Sequence, residues 1–89
     1  MNAEQTEDLR HVAARCLADR YPAALSIRQI SRAIAKESEV KFEEDDLRGA
    51  LELLCDLKFC DKKNDALGST IYWRATPELV LKCERGEMY

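Results

Sequence analysis

The chain has 89 residues, of which 46% are hydrophobic and 35% are charged. This balance is typical of one small, soluble domain with a single core, and we expect residues 1–89 to form it, with residues 1–5 and 85–89 frayed. The longest apolar run is far shorter than the roughly 18 residues of a membrane-spanning helix, and the first ten residues are too polar for a signal peptide. We therefore expect a cytoplasmic protein that does not associate with membranes.

The first predicted element is an amphipathic helix. Apolar residues recur at helical spacing between Leu9 and Leu17, which predicts a helix from about residue 4 to residue 20. The helix must end near Tyr21, because the residue before a proline avoids the helical conformation. Residues 23–25 are then expected to form a brief extended segment.

A second helix is predicted to begin after Ser26. The Ser26 hydroxyl and the Gln29 side chain have the spacing of a capping box, in which each accepts a hydrogen bond from the other's backbone. The buried side of this helix is predicted to carry Ile27, Ile30, Ala33 and Ile34. Three basic residues lie four apart on another side: Arg28, Arg32 and Lys36.

A third helix is predicted after a break at residues 37–43. If Glu43 is the cap residue, Phe42 and Leu47 have the spacing of a hydrophobic staple. The acids at positions 44–46 would lie in the first turn, where the positive end of the helix dipole stabilises negative charge. Ala50, Leu51 and Leu54 continue the buried side.

The remaining sequence predicts a β-hairpin and a short last helix. Residues 59–63 and 70–74 favour strands, and the segment NDALGS between them is rich in turn-forming residues. Thr76 is predicted to cap the last helix, with Pro77 at its first position. The predicted class is therefore α+β and mostly helical, with three N-terminal helices, a hairpin and a C-terminal helix.

This order of elements resembles the winged helix-turn-helix family, in which the hairpin is the wing. The segment YWRATPE, residues 72–78, is similar to the end of the wing in many prokaryotic winged-helix regulators. The segment LRGALELLCDLKF resembles the family's third helix leading into the wing. Many of these regulators continue with glycine where this chain has Leu79, which suggests a more regular last helix. The resemblance implies a domain that binds double-stranded DNA, although a minority of such domains bind proteins instead.

The sequence contains no recognisable catalytic set, so we expect that the protein is not an enzyme and has no cofactor. The cysteines, which are Cys16, Cys55, Cys60 and Cys83, lack the two-residue spacing of a zinc knuckle, and His11 is the only histidine. We therefore expect reduced thiols and no metal. The acids at positions 43–46 lack the alternating spacing and the glycine of a calcium loop.

Charge is the main difficulty for a DNA-binding function. The net charge is −3, and residues 43–58 carry six acids and two bases. The third helix would therefore bring negative charge towards a polyanion, whereas binding depends on cations that neutralise phosphates. Arg48 could contact a guanine, or it could pair with Glu44 or Glu52 along the helix.

Two hypotheses remain open, and neither decides whether the chain forms a homodimer. The first is a small transcriptional regulator that grips DNA phosphates with the second helix and the wing. Its binding residues would be Arg28, Arg32, Lys36, Arg48, Lys62 and Lys63. The second is a protein-interaction module that presents the acidic side of the third helix to a basic partner. Its binding residues would be Asp45, Glu52, Leu53 and Asp56.

Overall fold

The computed structural model describes residues 2–65 and 67–86. These residues form an α+β fold of four helices and a three-stranded antiparallel sheet. The elements in chain order are α1 (Ala3–Asp19), β1 (Leu25–Ser26), α2 (Ile27–Glu37), α3 (Glu44–Asp56), β2 (Cys60–Asn64), β3 (Ile71–Ala75) and α4 (Pro77–Glu84). Within the described ranges, no helix is long and apolar enough to cross a membrane.

Helix α1 begins one residue before the predicted start. The cause is a capping box in which the Gln5 backbone N–H donates to Asn2 Oδ1 at 2.8 Å. At the other end of the chain, Arg85 and Gly86 follow α4, and positions 87–89 of the predicted frayed tail lie outside the described residues.

The predicted capping box of α2 is confirmed. The Gln29 N–H donates to Ser26 Oγ at 3.3 Å, and the Ser26 N–H donates to Gln29 Oε1 at 2.9 Å. The extended segment before it was predicted too early, because only Leu25 and Ser26 pair with strand β3. An ion pair of 2.8 Å between Arg20 and Glu37 joins the end of α1 to the end of α2.

Helix α3 begins without a side-chain cap from Glu43, although the Glu43 N–H donates to Asp46 Oδ2 at 3.0 Å. Its end is a Schellman motif: the Phe59 N–H donates to the Leu54 carbonyl and the Lys58 N–H donates to the Cys55 carbonyl, both at 2.9 Å. Lys58 occupies the left-handed position of this motif, with φ of 66°. The motif turns the chain directly from α3 into β2.

The sheet has the strand order β1-β3-β2, so β3 lies in the centre. Tyr72 of β3 pairs with Lys63 of β2 on one side and with Ser26 of β1 on the other. Both hairpin strands begin one residue later than predicted. After β3, the predicted cap of α4 is confirmed, because the Leu79 N–H donates to Thr76 Oγ1 at 3.4 Å.

One hydrophobic core joins all four helices to the sheet. Trp73 is its largest fully buried side chain, and no polar or charged residue among those described is buried. The core residues are Leu9, Ala13, Ala14, Cys16, Leu17, Ile30, Ala33, Ile34, Leu47, Ala50, Leu51, Leu54, Cys60, Trp73, Ala75 and Leu79. Since the buried sides of α2 and α3 are apolar, their charged residues are left on the surface.

Candidate functional site

An open cleft of about 660 Å³ lies where the first turns of α2 and α3 face strand β3. It is lined by Ser26, Ile27, Arg28, Gln29, Arg32, Glu44, Arg48, Ser69, Thr70, Ile71, Tyr72 and Trp73. Three arginines and one glutamate give these residues a formal charge of +2, in a chain whose net charge is −3. The cleft is therefore a local basic site on an acidic protein.

Helix α2 supplies two of the three arginines. Arg28 and Arg32 are one helical turn apart and exposed, while Ile30, Ala33 and Ile34 of the same helix are buried. Neither arginine lies within salt-bridge distance of any described carboxylate. Both guanidinium groups can therefore bind an anion without breaking an internal ion pair.

The third arginine has a partner. Arg48 Nη2 lies 3.7 Å from Glu44 Oε1, one turn earlier on α3. Of the two partners predicted for Arg48 along the helix, Glu44 is therefore confirmed. Their side chains are 50% and 64% exposed. Such an exposed pair is weak, roughly 0.3–0.5 kcal/mol, and another anion can compete for the guanidinium group.

Residues of the hairpin line the opposite side of the cleft. Ser69 and Thr70 precede β3, and Tyr72 lies within it. The pairing of Ser26 with Tyr72 brings this side against the start of α2. We did not predict this side of the cleft from the sequence, since these residues reach it only through pairing between distant strands.

The other predicted DNA-binding residues do not line the cleft. Lys36 is exposed near the end of α2, and Lys62 and Lys63 are exposed on β2. The Lys62 Nζ lies 5.8 Å from the centre of the Trp73 ring, a cation–π distance. The structure thus gathers Arg28, Arg32 and Arg48 in one place and leaves the three lysines outside it.

The predicted protein-binding residues lie elsewhere on α3. Asp45, Glu52, Leu53 and Asp56 are all exposed and outside the cleft. Leu53 is 36% exposed, and Leu57, one turn later, is 51% exposed. The outer side of α3 therefore combines negative charge with two apolar side chains.

The cysteines are free thiols in the structure. The Cys60 Sγ donates to the Asp61 carbonyl at 3.6 Å, and burial raises the pKa of both the Cys55 and the Cys60 thiol above the ordinary value. They are therefore protonated at neutral pH and behave as small core side chains. Among the described residues, no three His, Cys, Asp or Glu side chains are grouped so that they could hold a metal ion.

The chain matches no protein-family model, no curated protein and no solved structure in three separate comparisons. The cleft and the charges around it are therefore the features of this protein that point to a function.

Proposed function

We propose that this protein is a winged-helix domain that binds double-stranded DNA, and that it acts as a small transcriptional regulator. The observation that carries the proposal is the cleft, which brings Arg28 and Arg32 together beside residues 69–73 of the hairpin. The order of elements and the strand order β1-β3-β2 support the winged-helix assignment, with the β2–β3 hairpin as the wing.

The chemistry of the cleft suits a phosphate backbone. Two guanidinium groups without internal partners can each neutralise a phosphate and release its condensed counterions, which is the main source of affinity for DNA. Guanidinium also forms two parallel hydrogen bonds to phosphate oxygens. Ser69 and Thr70 also line the cleft, are exposed, and carry hydroxyl groups that can donate to phosphate oxygens.

The acidic helix is compatible with this arrangement because most of its acids do not line the cleft. Helix α3 contains five acids and one arginine, a formal charge of −4, yet only Glu44 among those acids lines the cleft. Helix α2 and the wing therefore supply the phosphate contacts in this proposal. Lys36, Lys62 and Lys63 lie outside the cleft, where they would contact the flanking phosphates.

The test is fluorescence anisotropy of a labelled mixed-sequence duplex, titrated at low salt and again at higher salt. Replacing both Arg28 and Arg32 with alanine should weaken binding about 10- to 100-fold at low salt and lower the salt slope by about two. The control removes two exposed basic residues outside the cleft, Lys41→Ala with Arg85→Ala. It should lower affinity only slightly.

Two results would contradict the proposal. One is the absence of binding by the unmodified protein at low salt. The other is an equal loss of affinity in the cleft variant and in the control variant, which would indicate a response to net charge alone.

A second candidate function is a protein-interaction module, supported by the exposure of Leu53 and Leu57 beside Glu52 and Asp56. Exposed apolar side chains beside acidic ones suit a basic amphipathic helix as partner. In the same assay, the duplex would be replaced by a labelled amphipathic peptide that has lysines on one side of its helix and leucines on the other. The double substitution Leu53→Ser and Leu57→Ser should abolish binding of this peptide. If the peptide instead loses affinity when Arg28 and Arg32 are replaced, the outer side of α3 is not its binding surface.

A further inference from the structure

Glu44 is the single acid among the residues that line the cleft, where it lies with three arginines. Its place in the first turn of α3 is favourable to the helix dipole, but Asp45 and Asp46 share that advantage without lining the cleft. The start of the helix therefore does not require an acid at position 44 in particular.

The surroundings of Glu44 are basic on two sides. On α3, its carboxylate is 3.7 Å from the Arg48 guanidinium group. Across the interface with α2, Glu44 lines a smaller recess of about 130 Å³ together with Arg28 and Arg32. Among the described residues that line the two recesses, Glu44 is thus the one carboxylate, and it shares them with Arg28 and Arg32.

We propose that Glu44 sets the affinity of the cleft for phosphate by acting as a built-in counterion. This inference rests on the proposed DNA-binding function and assigns a selectivity role within the same site. While Glu44 is negative, it holds Arg48 and repels phosphates that approach Arg28 and Arg32. A ligand must therefore make enough other contacts to overcome this repulsion and to replace Glu44 as the partner of Arg48. The carboxylate thus selects against weakly bound polyanions.

The substitution Glu44→Gln separates this role from a general effect of charge. The amide keeps the size of the side chain but neither repels phosphate nor pairs with Arg48 as an ion. Arg48 then becomes a third phosphate contact in the cleft. In the duplex titration, affinity should rise about 3- to 10-fold at low salt, and the salt slope should increase by about one.

Glu78→Gln is the matched control. Like Glu44, Glu78 is an exposed acid in the first turn of a helix, and its replacement changes the net charge by the same amount, but it lies on α4 and does not line the cleft. Affinity should change less than about twofold, with no change in slope. The helical circular-dichroism signal of both variants should match that of the unmodified protein.

A double variant tests whether Arg48 is the group that Glu44→Gln makes available to phosphate. Adding Arg48→Ala to Glu44→Gln should return the salt slope to its original value. Equal effects of Glu44→Gln and Glu78→Gln, or a slope increase that persists without Arg48, would overturn the inference.

The failure of this inference is distinguishable from the failure of the proposed function. If the Arg28 and Arg32 variants lose affinity while Glu44→Gln behaves like the control, the cleft binds DNA and Glu44 has no special role. If the unmodified protein does not bind the duplex at low salt, both proposals are overturned together.

Discussion

Helices α2 and α3 are consecutive and similar in length, with 11 and 13 residues, yet they carry opposite charge. Three bases and one acid give α2 a formal charge of +2, whereas five acids and one base give α3 a charge of −4. Both bury an apolar side in the same core. The core therefore constrains only the buried sides, and the charge of the exposed sides is available for binding other molecules.

The two helices also begin differently. Helix α2 has a serine cap whose hydroxyl accepts from the backbone, whereas Glu43 makes no such hydrogen bond at the start of α3. Three acids in the first turn of α3 stabilise its N-terminus through the helix dipole instead. This explanation covers positions 44–46 but not Glu52 and Asp56, which lie too far from the N-terminus.

The strongest contrast to test is between the two sides of α3. Leu51 is fully buried, so Leu51→Ala should lower the free energy of unfolding by about 2–5 kcal/mol, through lost burial and the cavity left behind. Leu53 is 36% exposed, and Leu53→Ala should cost less than about 1 kcal/mol. Urea denaturation measures both values. Similar losses for the two variants would mean that the outer side of α3 also contributes to the core.

A smaller effect distinguishes the two helix starts. Ser26→Ala should lower the free energy of unfolding by about 1 kcal/mol, because the Gln29 N–H loses its acceptor. Glu43→Ala should change it by less than about 0.5 kcal/mol, since its side chain does not cap α3. Thermal unfolding followed by circular dichroism would compare them, and an equal cost at the two positions would remove the distinction.

The smallest expected effect concerns the end of α3. Lys58 has a positive φ, which is unfavourable for a residue with a Cβ atom, so Lys58→Gly should raise the free energy of unfolding by about 0.5–1 kcal/mol. Gly86 also has a positive φ, of 75°, after α4. Gly86→Ala should therefore act in the opposite direction. Destabilisation by Lys58→Gly in urea would show that the lysine side chain matters more than the backbone strain.

Most helix features could be predicted because they depend on residues within one turn of each other. The capping box of Ser26 and the Thr76–Pro77 start of α4 are local patterns, and the structure confirms both. The two hairpin strands were each placed one residue too early because their limits depend on pairing with a partner strand. The choice between Glu44 and Glu52 as the partner of Arg48 stayed open in the sequence, since both lie one turn away.

By itself, the sequence determined the α+β class, the buried sides of the helices and the concentration of acids on α3, since each follows from spacing along the chain. Only the tertiary structure decided which charges meet. The pairing of Ser26 with Tyr72 joins segments more than forty residues apart, and it brings the β2–β3 hairpin against the start of α2, beside Arg28 and Arg32. Strand pairing is non-local and its register depends on packing, so no pattern within a single helix or strand could have predicted the cleft.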